Sequence, residues 1–162
     1  MKKFLAVCDT LDRMTAWFTA FACMALALLV LVIVVLRYCF GTGFIELEDA
    51  ARYTFAVVVI FSLPVCLRRH GHVRVEVLSE RLSPDYRRTV DAVALVLFLI
   101  PVFGLVIVAG WSELAYSWSI REASVETGGL PGLFIVKTAL PLGALLMILQ
   151  GAAAVLEAAT RR

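Results

Sequence analysis

The chain has 162 residues, 62% hydrophobic and 17% charged, with a formal net charge of +2. That leaves too little polar surface to cover a soluble globule of this size, so lipid must solvate much of it. The small positive charge then reports orientation in a membrane and not affinity for nucleic acid, and no stretch is long and polar enough to form a separate extramembrane domain.

Lys2 and Lys3 precede a short apolar run, Phe4–Val7, but Cys8, Asp9, Asp12 and Arg13 interrupt it too early for the apolar region of a cleaved signal. The first long apolar stretch, Ala16–Leu36, is therefore expected to be an uncleaved membrane span. Ala16, Ala20, Cys23 and Ala27 recur along it at steps of four, three and four. Such a stripe of small residues lets another helix approach closely, although alanine is common enough in apolar helices to produce one by chance. The second stretch, Tyr53–Leu67, is short of the roughly 20 residues that cross a bilayer core of about 30 Å. It reaches that length only if its helix begins near Glu46, which puts Glu46, Glu48, Asp49 and Arg52 in the interfacial layer. Arg52 follows Glu48 by four residues and Asp49 by three, the helical spacing at which ion pairs form.

Between the second and third spans lies RRHGHVRVEVLSERLSP, Arg68–Pro84. Valines at 73, 75 and 77 alternate with Arg74 and Glu76, and Leu78 and Leu82 return at helical spacing. This is expected to be an interfacial amphipathic segment resting on lipid or on a partner, with a plain basic stop-transfer loop as the competing reading. Ser83-Pro84-Asp85 supplies an N-cap, a first-turn proline and a first-turn acid, so the third helix is expected to start there and run to about Ser117. Its apolar stretch is Ala92–Trp111, and Pro101 and Gly104 invite a kink near its middle. Trp111, Tyr116 and Trp118 read as an aromatic belt, with Trp111 and Trp118 as membrane-interface anchors. Thr127-Gly128-Gly129-Leu130-Pro131-Gly132 breaks the chain before the fourth stretch, Pro131–Leu156. Pro64 and Pro141 invite bends in the second and fourth helices. Gly143, Gly151, Ala154 and Ala158 form a looser small-residue face on the last span. Lys137 lies about 9 Å into that helix at 1.5 Å per residue, where snorkelling outward is the simpler expectation and pairing with Glu46, Glu48 or Glu113 the other.

The expected fold is thus an all-α integral membrane protein, a single four-helix domain with spans at about 16–36, 48–67, 90–111 and 131–156. With the N-terminus inside, eleven of the fifteen lysines and arginines fall in inside segments, whereas Arg37 and Arg121 are the basic residues of the outside loops. Both termini are therefore expected in the cytoplasm. The central turns of all four spans are uncharged, which disfavours a carrier working alone through a buried carboxylate. Ser62 and Gln150 are the uncharged polar groups well inside the spans. His70 and His72 sit in the inside loop, where they cannot clamp a haem between helices. Cys8, Cys23, Cys39 and Cys66 show no redox spacing, so no cofactor, metal or catalytic residue is expected and the chain does not read as an enzyme.

The order of an outer acidic cluster, ELEDAARY at Glu46–Tyr53, an apolar helix, RRHGHVRVEVLSERL, and a Pro141-Leu142-Gly143 step in the last helix resembles the small membrane subunit of tripartite ATP-independent periplasmic (TRAP) transporters, the DctQ-like family. The resemblance covers nearly the whole chain. His72, Val73 and Glu76 stand at the family's recurring histidine, β-branched and acidic positions after the second span. Aspartate is the commoner acid there. Glu48 and Arg52 stand at the polar start of its second helix. The resemblance implies a bacterial inner-membrane subunit that scaffolds a large multi-span, sodium-coupled elevator permease, which a periplasmic substrate-binding protein supplies with a C4-dicarboxylate or other carboxylate. No substrate-binding residue is then expected in this chain, and its other contacts are with membrane lipids. The alternatives from the residues are a stand-alone four-helix carrier or a membrane scaffold of another complex.

Overall fold

The computed structural model describes residues 2–69, 90 and 92–160. His70, His72, Val73, Glu76, the rest of the amphipathic segment to Pro84 and the Ser83-Pro84-Asp85 helix start lie outside the described residues. Four helices among the described residues are long and apolar enough to cross a membrane. The first, α1 (Lys2–Phe40), has 39 residues and is about 59 Å long, so it extends well past a 30 Å hydrocarbon core. Gly41, at φ 65°, makes the turn that leads through Phe44 to α2 (Ile45–Arg68). Starting α2 at Ile45 gives the second apolar stretch its missing length, with Glu46 and Glu48 in the first turn as the hydropathy required.

The third helix, Ala92–Ile120, contains a π-helical turn at Leu95–Leu99 and continues as α3 (Ile100–Ile120). The Ile100 N–H donates five residues back, to the Leu95 carbonyl. Pro101, the next residue, has no N–H, and its ring would press on the carbonyl of Leu97 in a regular helix. Widening the preceding turn moves that carbonyl aside, so the disturbance expected at Pro101 sits in the turn before it. Gly104 has open space around it and takes no visible part.

The last helix, α4 (Leu133–Thr160), is the centre of the bundle. About two-fifths of its most apolar stretch is buried, against almost none in the other three helices. It packs on α2 and α3, and α1 packs chiefly on α2. Buried Ala139, Gly143, Ala144, Met147, Gly151 and Ala153 make this possible by letting neighbouring backbones come close. A Cβ at Gly143 would lie 2.3 Å from Ile60 Cγ2 on α2, and one at Gly151 would lie 2.9 Å from a methyl of Leu95 and 3.1 Å from one of Leu99. In lipid, where burying an apolar side chain against another gains little over burying it in hydrocarbon, such close packing supplies the attraction between helices.

On α1 Cys8, Asp12, Thr15, Thr19, Ala22, Leu26, Leu29 and Ile33 form one partly or fully covered line, with Leu11, Ala16, Ala25 and Leu36 among the half-buried residues beside it. The line advances by alternate steps of four and three, the repeat of a long packed helix pair. Phe18 adds an edge-on contact with Phe61 of α2, ring centroids 5.4 Å apart. Ala16, Ala20, Cys23 and Ala27 each stand one residue beyond a member of that line, about 100° around the helix. Ala20, Cys23 and Ala27 are exposed. Gly143 and Gly151 of the small-residue face of α4 are therefore consumed inside the chain, while most of the stripe on α1 is left outside it.

Candidate functional site

Two polar clusters close the ends of the bundle. At the end that holds both chain termini, Arg68 hydrogen-bonds to Asp9 of α1 and Glu157 of α4, so one guanidinium ties three helices together. Arg69 stands 3.9 Å from Asp12. Gln150, 1% exposed, donates from Nε2 to the Cys8 carbonyl at 2.9 Å, the polar link between α4 and α1. Ser62 donates to the Val59 carbonyl of its own helix at 2.8 Å. The Ser62 hydroxyl and the Gln150 amide N–H are thus both turned to backbone, while Gln150 Oε1 is buried without a hydrogen-bond partner among the described residues.

The opposite end is more elaborate. Asp49 is 1% exposed although it sits in the second turn of α2. Its carboxylate accepts from the Leu130 N–H at 3.0 Å and from Arg52 at 3.1 Å, and the Ser124 hydroxyl also bonds to it. Tyr53 donates its hydroxyl to the Leu130 carbonyl at 3.1 Å. The 121–132 loop is in this way fastened across the start of α2. Arg52 makes the local pairs its spacing predicted, to Asp49 and to Glu48 at 3.7 Å, and also reaches Glu126 in the loop at 2.7 Å. Glu48 is shared with Arg37 at the end of α1, at 2.9 Å. Glu48 and Arg52 are therefore nodes that join α1, α2 and the α3–α4 loop.

Lys137 does not snorkel. It donates to Glu113, one of the anticipated acids, at 3.1 Å and to Glu122 at 2.6 Å. Glu122 comes within reach because α3 ends in a reversal. Arg121 adopts a left-handed conformation, φ 49°, its N–H bonding to the Trp118 carbonyl and the Glu122 N–H to the Ser117 carbonyl. That pattern folds the chain back over the last helical turn, and glycine is its usual occupant. Glu122 then accepts from buried Ser117 at 2.5 Å as well.

Donation by Lys137 and by Ser117 holds the Glu122 carboxyl below the usual carboxylate range. A carboxyl depressed in the folded state stabilises it above its unfolded pKa, about 4.3, and loses that contribution as pH falls through the lower folded value. Thermal melts of the solubilised chain are expected to show this loss as pH falls below about 5. Lys137→Met should flatten it, and an unchanged acid profile in that variant would remove Lys137 as the cause.

Of the two tryptophans expected to anchor the membrane interface, Trp118 is partly engaged with α4, donating from Nε1 to the Thr138 hydroxyl at 3.0 Å and stacking edge-on against Phe134 with ring centroids 4.8 Å apart. Trp111 is 63% exposed. Among the described residues no group of three or more His, Cys, Asp or Glu is placed to hold a metal ion, and all four cysteines are free.

Comparison with protein-family models matches residues 26–161 to the DctQ component of tripartite ATP-independent periplasmic transporters. The chain belongs to the DctQ family. No curated protein and no solved structure matched it. DctQ proteins are small membrane components of transporters that also contain a large permease and a binding protein, so this chain is a transporter subunit of multi-pass membrane type. The matched region holds the whole cluster at the loop end of the bundle, Glu48, Asp49, Arg52, Lys137 and the 121–132 loop. Of the opposite cluster it contains Arg68, Gln150 and Glu157, while Cys8, Asp9 and Asp12 precede it.

Proposed function

We propose that this DctQ subunit is a static scaffold that widens and anchors the fixed part of a sodium-coupled elevator permease, serving binding-protein-dependent uptake of an organic acid such as a C4-dicarboxylate. It lies in the bacterial inner membrane with both termini in the cytoplasm, which puts the Asp49–Arg52 cluster on the periplasmic side. The observation that carries this reading is the use made of the polar groups within the bundle: the Ser62 hydroxyl and the Gln150 amide N–H donate to backbone, and the side chain of Gln150, 1% exposed, is closed in by its own helices. A stand-alone carrier needs a polar path through the helices. The exposed Ala20, Cys23 and Ala27 face is a surface on which a permease helix can pack closely. Polar ties at both ends hold the helices in register against a neighbour that moves. His72, Val73 and Glu76 are assigned to assembly with the permease, as the family pattern implies.

The test is co-purification. With a tag after Arg162 and mild detergent, mass spectrometry is expected to find a large multi-span permease in near-equal amount, with or without a periplasmic binding protein. Recovery of the tagged chain alone would favour a self-sufficient carrier or a scaffold of another kind. Ala20→Leu with Ala27→Leu is expected to reduce the recovered permease several-fold by filling the stripe, and His72→Ala with Glu76→Ala to reduce recovery or uptake. Wild-type recovery and transport in both double variants would leave these faces without a role.

A further inference from the structure

The α3–α4 seam is tight at Trp118 and again at Gly151, and between them the packed helices leave hollows along the seam. A cavity of about 370 Å³ opens there on the side facing α2, lined by Ala56, Ile60, Gly110, Val136 and Leu140 among others. A second, of about 500 Å³, opens on the other side. Ile107, Trp111, Leu114 and Pro141 stand between them as shared walls, so an apolar groove lies on either flank of the seam, and the one facing α2 carries the charged mouth. Nothing lies within 4 Å of a Cβ built on Gly110, so α3 presents bare backbone to open space at this level. The charged residues on the groove wall are Glu113 and Lys137, toward the end of the bundle that carries the 121–132 loop.

The charges at this mouth do not balance within the site. One ammonium, Lys137, serves two carboxylates, and Glu122 holds it closer, 2.6 Å against 3.1 Å. Glu122 also has Ser117, whereas the Glu113 side chain is 67% exposed. Glu113, exposed and holding the longer of the two Lys137 contacts, has room to accept a second charged donor, and an unfilled apolar groove forfeits the contacts of its lining.

We propose that the groove binds a phospholipid with a primary-ammonium headgroup, from the leaflet at the loop end of the bundle. One acyl chain lies along Ile107, Leu114 and Leu140, the ammonium binds Glu113, and the phosphate faces Lys137. This occupant fills the space and, although its zwitterionic headgroup leaves the net charge unchanged, sets a cationic donor against Glu113 and an acceptor against Lys137. A choline headgroup lacks the N–H donors for Glu113, and an anionic glycerol headgroup brings no cation to it.

The full-length chain, purified in detergent and stripped of lipid, would be titrated with phosphatidylethanolamine, phosphatidylcholine and phosphatidylglycerol of identical acyl chains, with native mass spectrometry as readout. One phosphatidylethanolamine is expected to bind about tenfold more tightly than either of the others, as one charge-assisted hydrogen bond implies. Glu113→Gln should remove the preference while leaving weak binding of all three. Gly110→Leu, which fills the groove from a helical position with room for it, should abolish the adducts at an unchanged melting temperature. Equal binding of the three lipids, or an adduct that survives Gly110→Leu, overturns the proposal. So does a cysteine at position 110 that crosslinks to co-expressed permease in a complex carrying no lipid there.

Discussion

Replacing Gly143 with valine is expected to destabilise the solubilised subunit by about 2 kcal/mol, the cost of overpacking a close contact. Even the first carbon of the new side chain would lie 2.3 Å from Ile60 Cγ2 and 3.4 Å from the Ile60 carbonyl oxygen. The methyl sits directly on the Ile60 Cβ and cannot swing clear without carrying the whole side chain off its rotamer. The two helices must part, and α4 then loses part of the seam that makes it the centre of the bundle. Ile60→Ala in the same chain should restore room. The two changes together are expected to cost at least about 1 kcal/mol less than their separate costs combined. Fluorescence-detected size-exclusion melts of the four chains measure this directly, and additive losses would show that Gly143 and Ile60 do not meet.

Asp49→Ala should release the 121–132 loop without unfolding the spans. The substitution deletes the acceptor for the Leu130 N–H and one of the carboxylates around Arg52. Arg52 keeps Glu48 and Glu126, so the loss is that of hydrogen bonds to a charged group, about 1.5–3 kcal/mol, and not that of a stranded buried charge. Each 1.4 kcal/mol is about a factor of ten in a local opening equilibrium. A glutamate-specific protease acting at Glu122 and Glu126 in proteoliposomes should therefore cut the variant at least about tenfold faster. Wild-type cleavage would mean that Tyr53 and the Arg52–Glu126 pair suffice to hold the loop.

The four spans and the need to start the second near Glu46 were legible because hydrocarbon thickness converts directly into a count of apolar residues. The Arg52 pairs with Glu48 and Asp49 were legible for a related reason: helical spacing is a local property, and three or four residues suffice to state it. Family membership was legible too, since it rests on the order of polar and apolar blocks along the chain. The break at Pro101 was visible, but its form as a π-helical turn at Leu95–Leu99 was not, because backbone hydrogen-bond register depends on where the neighbouring helix lets the turn widen.

What the tertiary structure alone decided lies where distant segments meet. Glu122 was not among the partners considered for Lys137. It reaches the ammonium only because Arg121 reverses the chain in a left-handed conformation that nothing in its residue type favours. Asp49 read as an interfacial acid and proved to be a buried anchor, since its burial depends on a loop about 80 residues further along the chain. Two stripes of small residues looked alike in the sequence. That of α4 faces Ile60, Leu95 and Leu99 inside the bundle, and that of α1 mostly faces outward. Helical periodicity states which residues share a face, but which face is covered depends on where the other helices lie, and that is a property of the packed chain.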